Sequence, residues 1–423
     1  MEFAPLQPVD RISNLPENVI ADILMCLPTR DAASTSILSK QWRYKWVKLP
    51  HLIFDVTVWQ ELEVDERTMR FFLFLYEVLL RHQGPITKFS LVIPRLKSCS
   101  HIDHVINFLS NYGVEEFIFE IYKGYRIPSS LFMYLQLKRL TLSACLINPP
   151  PAFKGFNRLV RMELCDVIID AEVLQSLISS CLLLEQLLLD FRNEFDFLEI
   201  DAPMLRLFHL RRFFCSSICI KRSQHLATVR VTSRQHIMAD EFNYGNCNFV
   251  GFFDSLPALH KLCMDFHFML ALSAGQVQKV LPTTLINLKI LKLLRISLYS
   301  EDEFSCVLCL IRSSPNLEKM TINAISGWEN TVASPVPDFL KVQEYSDVLL
   351  NQLQEVKLES ISVGVSEMTL IKLLLDKSLK LKRMVIRQES GWYRPSIERV
   401  NVILKEINKF RRASPSAKVI YEN

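Results

Sequence analysis

The chain has 423 residues, of which 49% are apolar and 22% are charged, a balance that predicts a buried core and excludes a mainly disordered protein. Lys and Arg number 49 and Asp and Glu 45, so the net charge of +4 gives no basic excess that would indicate a nucleic-acid-binding protein. Only 10 residues are Gly and neither glycine-rich phosphate-binding motif occurs, which argues against dinucleotide and P-loop chemistry.

The 11 cysteines are scattered through apolar stretches, as is typical of reduced thiols inside a cell. Residues 1–9 show no signal peptide and are predicted to be flexible. Uncharged stretches all fall short of the roughly 20 residues that span a bilayer. The sequence therefore predicts an intracellular protein of the nucleus or cytoplasm without membrane contact.

Residues 10–56 are predicted to form a small domain of three short helices. Asn14 is suited to cap the first helix, and Pro28 to end it. The second helix is predicted over Arg30–Thr35 and the third around Ser39–Trp46. Because so few residues bury little core by themselves, part of the apolar surface is expected to belong to a partner.

This segment resembles an F-box of the plant type. The similarity lies in Leu15–Ile20, Leu27–Ala33, Ile37–Trp46 and Leu49-Pro50 followed by Phe54-Asp55. The resemblance implies docking onto the small adaptor subunit of an SCF-type (cullin-RING) ubiquitin ligase, and through it onto cullin. It places the adaptor contacts on Leu15, Pro16, Ile20, Ile23, Leu24, Leu27, Pro28, Leu38, Ser39, Trp42 and Trp46. The alternative is a helical cap on the repeats that follow.

Residues 57–333 carry a repeated L-x-x-L-x-L pattern, and the chain holds 63 leucines. Such a repeat predicts parallel strands with alternating side chains in a shared core, joined by helices such as Asp170–Ser179 and Glu301–Ser313. The fold class is therefore α/β, a leucine-rich-repeat solenoid with strands inside and helices outside. The pattern starts within these residues at Ile86, Val114, Leu137, Leu159, Leu184, Leu205, Leu226, Leu259, Leu288 and Leu317, and it recurs beyond them at Leu353 and Leu381.

The C-terminal residues 338–423 follow a proline-rich boundary at Ser334–Pro337 and are predicted to add two strand–helix units that close the repeat stack. This arrangement resembles the plant F-box/FBD/LRR-repeat family, whose FBD region ends in a segment like Phe410–Ala417. Further similarity to that family lies in His82–Ile86, Pro128–Phe132, Pro149–Phe156, Gln354–Leu358 and Leu381–Ile386.

Motifs that could carry chemistry are few. Cys306 and Cys309 form a C-x-x-C pair without a second pair, so core packing is preferred over a metal or redox site. His101 and His104 lack the glutamate of a zinc-protease motif and are interpreted as surface histidines. No catalytic residue, metal or cofactor is predicted, so the protein is not expected to be an enzyme.

The two residues beside the middle apolar position of each repeat are predicted to face away from the core, on the concave side. Nine of these 24 positions are basic and three are acidic, Glu116, Glu163 and Glu355. Lys88 is one of the nine, and the others are the candidate substrate-binding residues Arg139, Arg161, Arg230, Lys261, Lys292, Lys319, Lys357 and Arg383. Such a face is either an ordinary solvated surface or a site for an acidic or phosphorylated protein.

Together these features predict a non-catalytic subunit that recognises the substrate of an SCF-type ubiquitin ligase. Two alternatives stay open at this point: an interaction scaffold that acts outside a ligase, and a receptor that senses a small molecule.

Overall fold

The computed structural model describes residues 12, 15–56, 64–93, 100–191, 195–211, 215–233, 249–273, 279–325, 345, 347–361, 364–388 and 397–422. The predictions made for residues 1–9, for Asn14 and for Ser334–Pro337 lie outside these residues. The chain divides into two units, residues 1–183 and 184–423, and each is described by itself.

The first unit begins with short helices that end in a strand. Two α-helices, Glu17–Met25 and Thr29–Ser34, are each preceded by a proline at the N-cap position. Two 3₁₀ turns follow, Thr35–Ile37 and Trp46–Lys48, before strand β1, His51–Phe54.

The predicted third helix around Ser39–Trp46 is wrong, because this segment consists of turns. Its backbone hydrogen bonds span three residues, from the Trp42 amide to Ser39 and from the Lys45 amide to Trp42. The Ser36 hydroxyl also donates to the Arg43 carbonyl over 2.9 Å, a side-chain bond to the backbone of the kind that favours turns. Turn geometry therefore replaces the regular helix.

The rest of the first unit is a parallel sheet with helices between some of its strands. Strands β1 to β5 pair in chain order. The further elements are helix Val64–Arg81, β2 Lys88–Val92, helix Ser100–Leu109, β3 Glu116–Arg126, β4 Arg139–Leu146, β5 Arg161–Val167 and helix Ala171–Ser179.

The second unit is a longer parallel sheet with a small two-stranded sheet beside it. Its strands are β6 Gln186–Phe191, β7 Phe195–Asp201, β8 Leu207–Arg211, β9 Cys215–Lys221, β10 Thr228–Thr232, β11 Lys261–Asp265, β12 Ile290–Ile296, β13 Lys319–Ala324, β14 Glu355–Ile361, β15 Arg383–Gln388 and β16 Lys418–Glu422. Strands β7 and β9 pair with each other, and the others form the main sheet. The helices are Phe266–Ser273, Glu301–Arg312, Val365–Lys377 and Ile397–Lys409.

The predicted α/β class with parallel strands is confirmed, and so is the reading of the leucine pattern. Leu288 lies in the turn before β12, while Leu291 and Leu293 point into the core from the strand, and all three are fully buried. β13 pairs with β14, so the sheet continues from the repeats into the C-terminal region. The described residues of this region form three strands and two helices.

A left-handed residue recurs near the end of several strands. Ala144, Asp166, Arg295 and Ser360 have φ between 56° and 57°, and each is the sixth residue of its strand. In all four strands the second, fourth and seventh residues are buried. In a regular strand the side chains alternate between the two faces, so the seventh residue would face away from the core. The left-handed residue at position six interrupts this alternation, and the seventh side chain is buried in the core. The apolar spacing of the sequence does not indicate this left-handed residue.

We expect Ala144→Gly to raise the free energy of unfolding by about 0.5–1 kcal/mol, because a left-handed alanine costs about 1 kcal/mol that glycine avoids. Ser143→Gly is the matched control in the same strand and should lower it by a similar amount. Urea unfolding followed by circular dichroism measures both changes. A loss of stability in both variants would contradict the assigned conformation.

A buried carboxyl closes the start of helix Glu301–Arg312. Glu303 is 5% exposed and accepts a hydrogen bond from the Ser297 amide over 2.9 Å, while its own amide donates to the capping hydroxyl of Ser300. Burial raises the pKa of Glu303 to about 7, against 4.5 in the unfolded chain. The folded state therefore favours the protonated form.

Because of this raised pKa, we expect the contribution of Glu303 to the free energy of unfolding to be fully present below about pH 4.5. This contribution is lost as the pH rises through 7. Glu303→Gln should remove about 2–3 kcal/mol of that pH dependence, whereas Glu301→Gln, at an exposed position of the same turn, should leave it unchanged. Denaturation at pH 5 and pH 8 tests this. Equal pH dependence in all three proteins would count against it.

Candidate functional site

Four of the predicted adaptor-contacting residues form the interior of the helical segment. Ile20 and Leu24 lie on the buried side of the first helix, and Trp42 and Trp46 lie in and after the turns. All four are less than a tenth exposed. Their position favours a role in holding the helices together.

The other predicted residues lie nearer to solvent. Ile23, Leu38 and Pro16 are exposed. Leu15, Leu27, Pro28 and Ser39 are half-buried.

The structure adds Ile37 to this group, since its side chain is 88% exposed. Ile37 ends the 3₁₀ turn that precedes Leu38, and the Thr35 hydroxyl fixes that turn by donating to the Ala32 carbonyl over 2.6 Å. The apolar spacing of the sequence does not distinguish Ile37 from a core residue, because its exposure follows from the 3₁₀ turn. We call the exposed apolar residues Ile23, Ile37 and Leu38 the F-box surface.

Hydrogen bonds hold the helical segment on strand β1 and join it to the repeats. The Ile53 amide donates to the Thr29 hydroxyl over 2.7 Å, and the Gln83 amide donates to the Val47 carbonyl over 2.7 Å. The carbonyl of Pro50 accepts from the amide of Lys88, the first residue of β2. The F-box surface is therefore held in a fixed position on the first strands of its unit.

The basic residues of the first unit's outward strand face are paired with carboxylates. The Lys88 amine lies 2.8 Å from Glu116 on the neighbouring strand, and Arg139 contacts the same carboxylate over 3.4 Å. Arg161 pairs with Glu163 over 3.1 Å. This part of the predicted basic face is largely neutralised within the chain.

The basic residues at the C-terminal end of the second unit are paired in the same way. Lys319 and Lys357 approach the Glu355 carboxylate to 3.3 and 3.8 Å. Arg383 lies 3.4 Å from Glu422, a residue of the last strand that the sequence analysis did not single out.

Three of the predicted basic residues differ from these. For Arg230, Lys261 and Lys292 the described residues provide no carboxylate within 4 Å. Arg230, Cys263 and Lys292 stand side by side on β10, β11 and β12. Lys261 lies two residues before Cys263 on β11. We call Arg230, Lys261 and Lys292 the basic cluster.

A buried histidine borders the basic cluster. His209 pairs in register with Arg230, is 6% exposed and lies 3.2 Å from the Thr232 hydroxyl. Burial, reinforced by the charges of Arg230 and Arg211, lowers the pKa of His209 to about 4. The ring is therefore neutral near pH 7 and adds no charge to this face.

The cysteine pair lies in the core, as predicted. Cys306 and Cys309 are both buried in helix Glu301–Arg312, and burial raises the pKa of Cys309 to about 11 and that of Cys306 still further. Their thiols are therefore protonated near pH 7 and poorly suited to metal or redox chemistry.

The two histidines differ from each other. His104 is exposed as predicted, whereas His101 is half-buried, with its Nδ1 3.0 Å from the Tyr76 hydroxyl. Among the described residues, no three His, Cys, Asp or Glu side chains are placed to hold a metal ion. Nor does any helix within those residues have the length and apolarity needed to cross a bilayer.

Comparison with known proteins identifies the two segments. An F-box domain model matches residues 12–54, and the model described as "FBD-associated F-box protein At5g56370, LRR repeats" matches residues 102–322. The F-box/FBD/LRR-repeat protein At1g13570 of Arabidopsis thaliana is 33% identical over 97% of this chain and 98% of its own length. The chain belongs to the F-box/FBD/LRR-repeat family.

Other Arabidopsis thaliana proteins are similar over shorter stretches. The FBD-associated F-box protein At5g56370 is 34% identical over 42% of each chain. The putative F-box protein At1g58310 is 26% identical over 76% of this chain and 70% of its own. Among solved structures, an internalin of Listeria monocytogenes has a TM-score of 0.32 at 14% identity, over 80% of this chain and 86% of that one.

The buried and exposed groups of predicted F-box residues should differ in how much they contribute to the free energy of unfolding. Trp42→Ala should cost about 3–5 kcal/mol, because it removes a large buried side chain. Leu38→Ala should change the free energy of unfolding by less than about 0.5 kcal/mol, since that side chain is 58% exposed. Chemical denaturation followed by circular dichroism compares them. Equal losses would show that Leu38 also belongs to the core.

Proposed function

We propose that this F-box/FBD/LRR-repeat protein recognises the substrate of an SCF-type ubiquitin ligase and has no catalytic role of its own. The observation that carries the proposal is the exposed apolar F-box surface on a segment that the F-box domain model matches over residues 12–54. Apolar side chains that a folded chain leaves in contact with water favour a protein partner. The partner in this proposal is the small adaptor subunit, which binds cullin in turn.

In this proposal the predicted adaptor residues act in two ways. Ile23, Ile37 and Leu38, with Pro16 beside them, contact the adaptor directly. The buried residues Ile20, Leu24, Trp42 and Trp46 keep that surface in shape. The half-buried Leu15, Leu27, Pro28 and Ser39 contribute at the rim, where contacts carry less of the binding energy.

The chain would act by proximity. Binding a target on the repeats, or on the FBD region predicted at 338–423, raises the local concentration of the target's lysines near the ubiquitin carrier held by other subunits. The F-box is fixed to its first strands by the hydrogen bonds at Ile53, Gln83 and Lys88. This attachment limits the motion of the F-box relative to its first strands, and such motion would lower the local concentration of the target's lysines. Its place of action, nucleus or cytoplasm, stays a prediction.

We expect Ile37→Asp with Leu38→Asp to weaken adaptor binding at least about 30-fold, since truncations at the centre of an interface cost about 2 kcal/mol. Leu80→Asp is the matched control, because Leu80 is 82% exposed on helix Val64–Arg81 of the same unit. Titration of the purified full-length chain with the adaptor measures both affinities.

Unchanged affinity of the double variant, or an equal loss in Leu80→Asp, would overturn the assignment of the F-box surface. Purification from cells separates a ligase subunit from a scaffold. Cullin should accompany the wild-type chain and be absent from the double variant. Recovery of the adaptor without cullin would instead favour a role outside a ligase.

A further inference from the structure

The outward strand face of the second unit has an uneven balance of charge. At its C-terminal end, Lys319, Lys357 and Arg383 each have a carboxylate within 4 Å. From β8 to β12 the corresponding outward positions hold no acidic residue. They are Leu207 and His209, Thr228 and Arg230, Lys261 and Cys263, and Ile290 and Lys292. The basic cluster therefore lies in a stretch of the face without neutralising neighbours at these positions.

The register of the strands brings the three charges of the basic cluster close together. Neighbouring strands lie about 4.8 Å apart, so the backbones of Arg230 and Lys292 are about 10 Å from each other with Cys263 between them. Lys261 stands about 7 Å from Cys263 along the same strand. Arg230 is exposed and both lysines are partly exposed. Their long side chains can converge on one group placed above Cys263.

The environment of Cys263 agrees with this convergence. Cys263 is 2% exposed, and burial raises its pKa, while the positive charges of Arg230 and Lys292 act in the opposite direction. Arg230 and Lys292 are in register with Cys263 on the two neighbouring strands, so the two cations flank it from opposite sides.

A carboxylate on the same strand as Cys263 already has other partners. Asp265, two residues beyond Cys263 on β11, is fully buried and lies 2.9 Å from the Arg295 guanidinium. The hydroxyl of Ser233 donates to the same carboxylate over 2.5 Å. Asp265 is therefore engaged by partners outside the basic cluster.

We propose that the basic cluster binds the phosphoryl group of a phosphorylated segment of the target protein. This inference rests on the proposed function, because it specifies what the repeats would recognise. A phosphoryl group carries a charge of about −1.5 to −2 and three acceptor oxygens, which suits an arginine and two lysines. A single carboxylate offers one charge and two oxygens and matches three cations less well. Arg230 can bind two phosphoryl oxygens at once, whereas the lysines act as point charges.

The experiment uses the full-length chain immobilised through the adaptor. Three peptide pools with randomised flanking residues are passed over it, with phosphoserine, serine or glutamate at the fixed central position. We expect the phosphoserine pool to be retained at least 10-fold better than the other two. Retention should fall as salt is raised from low to physiological concentration and beyond, because exposed charges are screened within about 8 Å at physiological ionic strength.

Variants assign the binding to the basic cluster. Arg230→Glu with Lys292→Glu should reduce retention of the phosphoserine pool at least 10-fold, and Arg230→Gln with Lys292→Gln should give a smaller loss. Arg139→Glu with Arg161→Glu is the matched control, since these exposed arginines are paired with Glu116 and Glu163, and should retain the pool as the wild-type chain does. Thermal melting confirms that each variant is folded.

Retention of the phosphoserine pool no better than the serine or glutamate pool would overturn the inference, and so would equal retention by the Arg230/Lys292 variant and the Arg139/Arg161 control. Because the chain is held through the adaptor, a failure of the proposed function appears separately as a failure of immobilisation. Chain that is captured by the adaptor but does not discriminate between the pools contradicts only the phosphoryl site.

Discussion

Pairing between β1 and β2 makes the F-box part of the repeat fold. Register pairs from His51 with Lys88 to Phe54 with Leu91 place the end of the F-box segment in the same parallel sheet as the first repeats. Leu52 and Phe54 enter the core that Phe89 and Leu91 also fill. The position of the F-box surface therefore follows from strand pairing.

The same ladder of parallel strands organises charge on the outward face. Residues in register lie about 4.8 Å apart, close enough for Lys88 to reach Glu116 and for Lys319 to reach Glu355. Such exposed pairs contribute little stability. Their consequence is a face with little net charge at the positions that they occupy. The basic cluster, which no carboxylate of the described residues neutralises, is therefore a local feature and not part of a general basic surface.

Much of the fold could be predicted because the spacing of the leucines marks which residues of each strand face the core. The apolar positions of L-x-x-L-x-L enter the core in strand after strand, and helices such as Ala171–Ser179 and Glu301–Arg312 begin within one residue of prediction, after Asp170 and Ser300 caps. The turns around Ser39–Trp46 could not be predicted, since the apolar spacing of Trp42 and Trp46 fits a helix as well. In the structure the backbone bonds of this segment span three residues, and the Ser36 hydroxyl bonds the Arg43 carbonyl.

The candidate sites were predicted less completely for a similar reason. Motif similarity names the residues of an F-box but does not separate those that hold it together from those that face a partner. Ile37 was missed because its exposure depends on the 3₁₀ turn. Counting charges found the basic positions of the strand face, but their neutralisation depends on which strands are neighbours. Glu422 illustrates this, since it lies 39 residues after Arg383 in sequence and contacts it from the next strand.

Hydrogen–deuterium exchange of the full-length chain, alone and with the adaptor, tests whether the F-box is fixed on the repeats with its adaptor surface exposed. We expect slower exchange on adaptor binding around Ile23 and across Ile37–Gln41. The amides of Gln83 and Lys88 should exchange slowly in both states, because they donate to the F-box carbonyls of Val47 and Pro50. Protection confined to the repeat strands, or rapid exchange at Gln83 and Lys88 in the free chain, would contradict this arrangement.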